Sequence, residues 1–120
     1  MRPVIGGTAF GSITIDGVDF GHDVLIRLDG RVERRKKKLS KAIYGTSHTI
    51  SLDEARHVYE DGAERLIVGT GQYGLVGLSD EAADYFERHG CQVDLLPSSE
   101  AIQAWNAAKG AVIALFHVTC

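Results

Sequence analysis

The second half of this 120-residue chain alternates apolar runs with segments that carry helix-start and helix-stop signals. Three apolar runs are strand candidates: 66–68, 93–96 and 111–118. Each run follows a stretch with the residues of a capped helix, and a helix between consecutive strands supplies the crossover that parallel pairing requires. This alternation predicts an α/β fold with a central, mostly parallel or mixed sheet and helices on its faces.

Capping residues and glycines mark the helix ends. Ser51 and Glu54 have the spacing of a capping box, in which the Ser51 hydroxyl bonds the Glu54 amide and the Glu54 carboxylate reaches back to the Ser51 amide. The helix that starts there is predicted to stop at Gly62. Two further helices are predicted over 79–90 and 97–110, each closed by a glycine.

The first third of the chain predicts antiparallel strands. Residues 10–15 alternate apolar with small or polar side chains, and the turn dipeptide Asp16-Gly17 leads into an extended pattern over 18–20. A second turn at Asp29-Gly30 leads into a return strand predicted over 31–39. We therefore expect an N-terminal hairpin or meander to be added to the central sheet.

Length and composition predict one α/β domain over residues 1–120, because the chain is short and 44% of its residues are hydrophobic. Two cysteines, Cys91 and Cys120, are too few for a disulfide framework, so reduced thiols are expected. The sequence has no long uncharged apolar stretch and no secretory leader after Met1, which predicts a cytoplasmic protein without a membrane segment.

A basic stripe interrupts an otherwise acidic chain. Residues 31–41 hold seven of the 13 Lys and Arg residues and one of the 16 acids, which leaves a net charge of −9 on the rest. The stripe is predicted to attract phosphates, nucleic acid or an acidic protein face, or to protect an edge strand from aggregation. The acidic remainder argues against nucleic acid. The central residues of the basic stripe form the predicted interaction surface: Arg34, Arg35, Lys36, Lys37 and Lys38.

A glycine-rich turn follows the first of the three apolar runs. In a parallel sheet such a turn lies outside the carboxyl end of a strand, where ligands bind. The turn lacks the lysine of a P-loop and departs by one position from the dinucleotide-binding pattern. Two interpretations stay open: a cradle for a small anion, or a tight turn over the sheet. The candidate ligand-binding residues are Gly69, Thr70, Gly71, Gln72 and Tyr73.

A second polar loop holds Thr46, Ser47 and His48. His48 is a candidate acid, base or anion contact near neutral pH, or a residue that orders its loop by a hydrogen bond. Trp105 is expected in the core, and Asn106 is either a helix cap or part of a ligand wall.

The sequence assigns no catalytic residue, cofactor or metal ligand. An extended last strand places His117 and Cys120 on opposite faces, which argues against a thiol–imidazole pair. The five histidines lack metal-site spacing.

Several segments together resemble one known family. They are Gly45-Thr46-Ser47-His48, 67–71, 96–102, Trp105-Asn106 and 116–120. In this order they are similar to the adipogenesis-associated domain family, which is also similar to mitochondrial complex I assembly factor 3. The resemblance covers residues 10–120, and the chain looks like the short prokaryotic, archaeal form.

The resemblance implies a three-layer α/β fold with a β-hairpin layer added to one side, and it brings no established catalytic residues. Two functional hypotheses follow. In the first, the chain is a non-catalytic binding or assembly module whose basic strand docks a partner protein or a second copy. In the second, it binds a small anionic ligand, or acts on one as an enzyme, at the Gly69–Gly74 loop and His48.

Overall fold

The computed structural model describes residues 2–119, so the expectations placed on Cys120 lie outside the described residues. The strands are β1 (Ile5–Ala9), β2 (Ser12–Ile15), β3 (Val18–Phe20), β4 (Val24–Ile26), β5 (Val32–Arg34), β6 (Thr49–Ile50), β7 (Arg65–Gly69), β8 (Gly77–Leu78), β9 (Gln92–Leu96) and β10 (Val112–Phe116). The helices are α1 (Lys38–Tyr44), α2 (Leu52–Val58), α3 (Asp80–Arg88) and α4 (Ser98–Ala107).

A five-stranded mixed sheet forms the centre of the fold, with strand order β5-β4-β10-β7-β9. Strand β7 pairs in parallel with both β10 and β9, whereas β4 runs antiparallel to β10 and to β5. The parallel half comes from the helix–strand alternation, and the antiparallel half comes from the Asp29-Gly30 turn. The predicted α/β class and its mixed sheet are therefore confirmed.

Side chains of β10 alternate between the two faces of this sheet. Ala114 and Phe116 pack with Trp105 of α4 and with apolar residues of β1 and β2. Ile113 and Leu115 pack on the other face with α2 and α3, where Phe86 is a large buried residue. Because both faces are covered, the strand is apolar along its whole length. The molecule has three layers, as the family resemblance implies.

The N-terminal layer is a three-stranded antiparallel sheet of order β1-β2-β3. The predicted hairpin turn is present, with positive φ angles at both Asp16 and Gly17, the geometry of a tight two-residue connection. Sequence reasoning missed β1 and began the first strand at Phe10, which instead lies in the turn between β1 and β2. Asn106 holds β1 in place, because its side-chain amide bonds both the backbone N–H and the backbone carbonyl of Ile5, at 3.0 and 2.9 Å.

The return strand predicted over 31–39 is wrong in length. Strand β5 ends at Arg34, and α1 begins at Lys38. Directly after the strand, Arg35 turns its side chain into the protein, toward carboxylates of two other elements. The expected edge position is correct, since β5 is the outermost strand on its side of the sheet.

Helix α2 departs from its prediction in two ways. Ser51 accepts a hydrogen bond from the Glu54 amide, as a capping residue should. The Glu54 carboxylate does not return to the Ser51 amide, however, because it pairs with Arg35, and the Ser51 amide donates to the Ser40 hydroxyl instead. The helix also ends at Val58 rather than at Gly62, since Tyr59 is extended.

A short parallel pair, β6 with β8, joins two loops that were separate in the sequence. Residues 45–48 lead into β6, and the glycine-rich turn precedes β8. Gly77 donates its backbone N–H to the His48 carbonyl at 2.8 Å. The pair therefore places the polar loop next to the glycine-rich turn.

No helix among residues 2–119 is long and apolar enough to cross a membrane.

Candidate functional site

Arg35 is buried, although it belongs to the stripe that the sequence marks as a surface. Only 4% of the residue is exposed. Its guanidinium binds Glu54 through two nitrogens, at 2.6 and 3.0 Å, and donates to the Ser47 carbonyl at 2.7 Å. A third nitrogen, Nη1, lies 2.9 Å from Asp23. The expectation that Arg35 is part of an exposed interaction surface is thus corrected: its planar fork suits two buried carboxylates.

Asp23 is the second centre of this buried cluster. One carboxylate oxygen accepts from Arg35 and from His117 Nδ1 at 2.8 Å, and the other accepts from the Val118 amide at 3.0 Å. Burial alone would raise the pKa of Asp23, but the hydrogen bonds from His117 and Val118 outweigh it and lower the pKa to about 2. Asp23 is therefore ionised at neutral pH.

One guanidinium, that of Arg35, is shared by the two buried carboxylates of the cluster. Burial would lower the pKa of Arg35, but its hydrogen bonds and attraction to Glu54 and Asp23 raise that pKa above its ordinary value. Glu54 also accepts from the Ser40 hydroxyl. Breaking one member would leave an unpaired charge inside the protein, which makes the cluster a rigid base for the loops above it.

A pocket of about 330 Å³ opens over this cluster. Its lining residues are His22, Asp23, Arg34, Arg35, Lys36, Lys37 and Lys38. Apart from the paired Asp23 and Arg35, they all carry basic or imidazole side chains. All five residues of the predicted interaction surface therefore line the pocket, folded around a cavity rather than laid along a strand.

The charges at the pocket rim are not neutralised by the protein. Among residues 2–119, no carboxylate lies within 4.0 Å of the charged nitrogens of Arg34, Lys36 or Lys38, and all three residues are at least partly exposed. Lys37 is partly covered and lies 3.6 Å from Asp23. Since Arg35 already satisfies the buried carboxylates, the rim keeps an excess of positive charge that favours an anion.

His22 forms the remaining wall of the pocket. Its Nδ1 lies 2.9 Å from the Asp23 carbonyl, so that nitrogen donates the hydrogen bond. Its ring is held edge-on against Phe20, with ring centroids 5.9 Å apart. This orientation fixes the imidazole beside the basic side chains.

The other candidate loops also meet. The His48 ring lies edge-on to His117, with centroids 5.5 Å apart, and its amide is held by the Thr46 hydroxyl at 3.1 Å. The Gln72 amide of the glycine-rich turn donates to the Thr119 carbonyl at 3.0 Å. The structure thus gathers the polar loop and the turn around the segment that follows β10.

The predicted ligand-binding residues of the glycine-rich turn differ in their exposure to solvent. Gly69, Thr70 and Gly71 are buried, whereas Gln72 and Tyr73 are exposed. A Cβ on Gly69 would overlap the Phe116 ring. Packing between neighbouring strands accounts for this glycine.

Asn106 does not join the other candidate residues, because its side-chain amide is hydrogen-bonded to the backbone of β1. Ser47 is buried and contributes its carbonyl to Arg35 rather than its hydroxyl to a site. Among residues 2–119, no group of three or more His, Cys, Asp and Glu side chains is placed to hold a metal ion.

Sequence reasoning missed three residues of the site: His22, Asp23 and Glu54. Glu54 was assigned to a capping box, whose spacing it does have. His22 and Asp23 directly precede the buried run of β4, and an acid at such a position is a signal for a buried ion pair. The pairing partner is 12 residues away for Asp23 and 19 for Glu54, so only the folded chain shows the cluster.

Comparison with known proteins agrees with this architecture. Residues 5–117 match the family model of a protein of unknown function, DUF498/DUF598. The conserved hypothetical protein PH1505 from Pyrococcus horikoshii OT3 is 36% identical, with a TM-score of 0.87 over 97% of this chain and 98% of that one. A second solved structure, MT938, is 32% identical, with a TM-score of 0.81 over 99% of this chain and 100% of its own.

A more distant structure shares the fold alone. A Mth938-like domain from Bordetella pertussis, solved in solution by NMR, is 17% identical, with a TM-score of 0.63 over 97% of this chain and 85% of that one.

Proposed function

The chain belongs to the DUF498/DUF598 family, and we propose that it is a non-catalytic binding module that docks an acidic segment of a partner protein in its basic pocket. One observation carries the proposal: the rim cations Arg34, Lys36 and Lys38 surround a cavity whose lining carboxylate, Asp23, is already paired with Arg35. A carboxylate from outside would complete the charge pattern.

The buried cluster supports this function by holding the pocket open. Arg35 connects the loop after β5 to Asp23 before β4 and to Glu54 on α2. The two segments that line the pocket are therefore tied to each other and to α2 by one guanidinium, and a pocket that keeps its shape loses less entropy on binding.

Excess negative charge elsewhere on the chain favours a protein partner over nucleic acid. The chain as a whole carries a net charge of −3, so a long polyanion would be repelled beyond the pocket. A short acidic segment reaches the rim without lying along the acidic body.

A small anionic ligand is the second candidate, favoured by the size of the cavity. About 330 Å³ is within the range of small-molecule pockets. This candidate moves the proposed anion from the Gly69–Gly74 loop to the basic pocket, because Gly69 is accounted for by its contact with Phe116.

Binding of a fluorescent glutamate-rich peptide, followed by anisotropy at several salt concentrations, tests the proposal. We expect saturable binding that weakens as salt rises and that is lost in the Arg34→Ser, Lys36→Ser, Lys38→Ser triple variant. Lys41→Ser is a matched control, because Lys41 belongs to the same stripe but does not line the pocket.

Three outcomes would overturn the protein-partner proposal. If the triple variant bound the peptide as tightly as the native chain does, the pocket would not be the docking site. Tighter binding of duplex DNA than of peptide would favour nucleic acid. Saturation by inorganic phosphate without any peptide binding would favour the small-anion candidate.

A further inference from the structure

A chain of three hydrogen-bonded side chains runs behind the basic pocket. Asp23 binds His117 Nδ1 at 2.8 Å, and His117 Nε2 lies 3.0 Å from the Thr119 hydroxyl oxygen. The order is carboxylate, imidazole, hydroxyl. A nucleophile within hydrogen-bond reach of a base that is itself oriented by a third group is the arrangement that activates hydroxyl nucleophiles.

Asp23 determines which nitrogen of the His117 ring carries a proton. An ionised carboxylate only accepts hydrogen bonds, so His117 Nδ1 must carry a proton and donate it. In the neutral imidazole, Nε2 then has the free electron pair, and the Thr119 hydroxyl donates to it. His117 is therefore held in the tautomer that can take a proton from Thr119.

Both ends of the relay are fixed in place. The Val118 amide donates to Asp23 at 3.0 Å, and the Thr119 carbonyl accepts from Gln72 at 3.0 Å. The His48 ring, edge-on to His117, restricts rotation of the imidazole.

Burial decreases along the relay, from Asp23 and His117 to Thr119. Asp23 and His117 are 1% and 2% exposed, so the orienting contact is protected from water. Thr119 is partly exposed, so the relay runs from a buried carboxylate toward the surface. This order favours reaction with an electrophile that arrives from outside.

We propose that Thr119 is an acyl-acceptor site, which takes an acyl group from an activated ester or thioester with His117 as general base. The Oγ1 of Thr119 attacks the acyl carbonyl carbon while its proton passes to His117 Nε2. The bond from that carbon to the leaving oxygen or sulfur breaks, and the proton on His117 goes to the leaving group. One ester forms on Thr119, one alcohol or thiol is released, and no redox partner is needed.

Labelling the whole protein with p-nitrophenyl acetate tests this assignment. We expect one equivalent of p-nitrophenol to be released as Thr119 is acetylated, with the site located by tandem mass spectrometry of peptides. General-base assistance contributes about 100-fold or more, so Thr119 should react at least ~100-fold faster than Thr8. The Thr8 hydroxyl is a suitable reference because it donates to the Ser12 carbonyl at 2.8 Å rather than to a base.

Variants separate an activated hydroxyl from a merely structural hydrogen bond. Thr119→Val keeps the side-chain shape and should abolish the label at this position, whereas Thr119→Ser should retain it. His117→Gln should slow labelling of the remaining Thr119 by about 100-fold. If that variant does not fold, as judged by circular dichroism, the comparison of Thr119 with Thr8 in the native chain decides alone.

Equal acetylation rates at Thr119 and Thr8 would overturn the proposal, as would unchanged labelling at Thr119 in a folded His117→Gln variant. Peptide binding and acetylation of Thr119 are separate measurements on the native chain, so the acyl-acceptor site and the proposed docking function can each fail without the other.

Discussion

The basic pocket and the glycine-rich turn are the two regions that the sequence marks as sites, and the structure treats them differently. The pocket keeps cationic side chains around an open cavity, and its buried charges are already matched by Asp23 and Glu54. The first residues of the turn are buried in the protein. Gly69 packs against the Phe116 ring, and Thr70 and Gly71 are buried as well. Unmatched charge, rather than glycine content, is the property on which the proposed binding site rests.

The largest effect is expected at the base of the pocket. Arg35→Met leaves Asp23 and Glu54 without their shared cation, and we expect the free energy of unfolding to fall by about 3–5 kcal/mol. Urea denaturation measures this change. Arg34→Met is the matched control, since the neighbouring arginine is exposed and should change stability by no more than about 0.5 kcal/mol. Equal losses in both variants would contradict the assignment of Arg35 to a buried cluster.

Gly69→Ala tests the interpretation of the turn. The added methyl group overlaps the Phe116 ring, so we expect a loss of about 1–3 kcal/mol. Gly77→Ala is the control, because a Cβ there meets nothing within 4 Å.

A second substitution sharpens the result at Gly69. In the background of Phe116→Leu, the cost of Gly69→Ala should become smaller, because the ring that it meets is gone. A cost at Gly69 that is independent of residue 116 would contradict the explanation of this glycine by packing against Phe116.

Acid should weaken the cluster through Asp23. The pKa of Asp23 in the folded state is about 2, below the ordinary 3.8, so its stabilisation is present above the ordinary value and is lost as pH falls through about 2. The difference corresponds to roughly 2 kcal/mol, since one pKa unit is about 1.36 kcal/mol. Unfolding free energies measured between about pH 5 and pH 2 should fall less steeply in Asp23→Asn. An identical pH dependence in both proteins would refute this role.

The smallest effect on stability is expected at the rim. The Arg34→Ser, Lys36→Ser, Lys38→Ser triple variant should unfold at an unchanged or slightly higher denaturant concentration, within about 0.5 kcal/mol per substitution. Removing like charges relieves repulsion, and Lys38 starts α1, where a cation is unfavourable. A clear loss of stability would mean that the rim cations are structural.

Patterns that act over a few residues predicted most of the fold. Ser51 accepts the expected hydrogen bond from the Glu54 amide, and Ser79, where the helix over 79–90 is predicted to begin, accepts one from the Ala82 amide. The Asp16-Gly17 turn has positive φ angles, as a tight hairpin turn requires. The helix–strand alternation predicted the parallel half of the sheet, and the motifs that resemble the adipogenesis-associated domain family are confirmed by the DUF498/DUF598 match.

Contacts between distant residues account for what the sequence did not show. The local pattern of the basic run predicts an exposed strand. It does not predict that Arg35 pairs with Asp23 and Glu54, which lie 12 and 19 residues away in the sequence. Helix α1 begins within the same basic run, over part of which a strand is predicted. The sequence considers His117 as a partner for Cys120 and as part of the family-like segment 116–120, whereas its partner in the structure, Asp23, is 94 residues away.

Amide NMR titration of the native chain with an unlabelled glutamate-rich peptide tests the central claim, that the basic pocket binds an acidic group. We predict that the largest chemical-shift changes fall on residues 22–23 and 34–38 and saturate together. Changes centred on residues 69–74, or none at peptide concentrations well above those of the protein, would contradict the account.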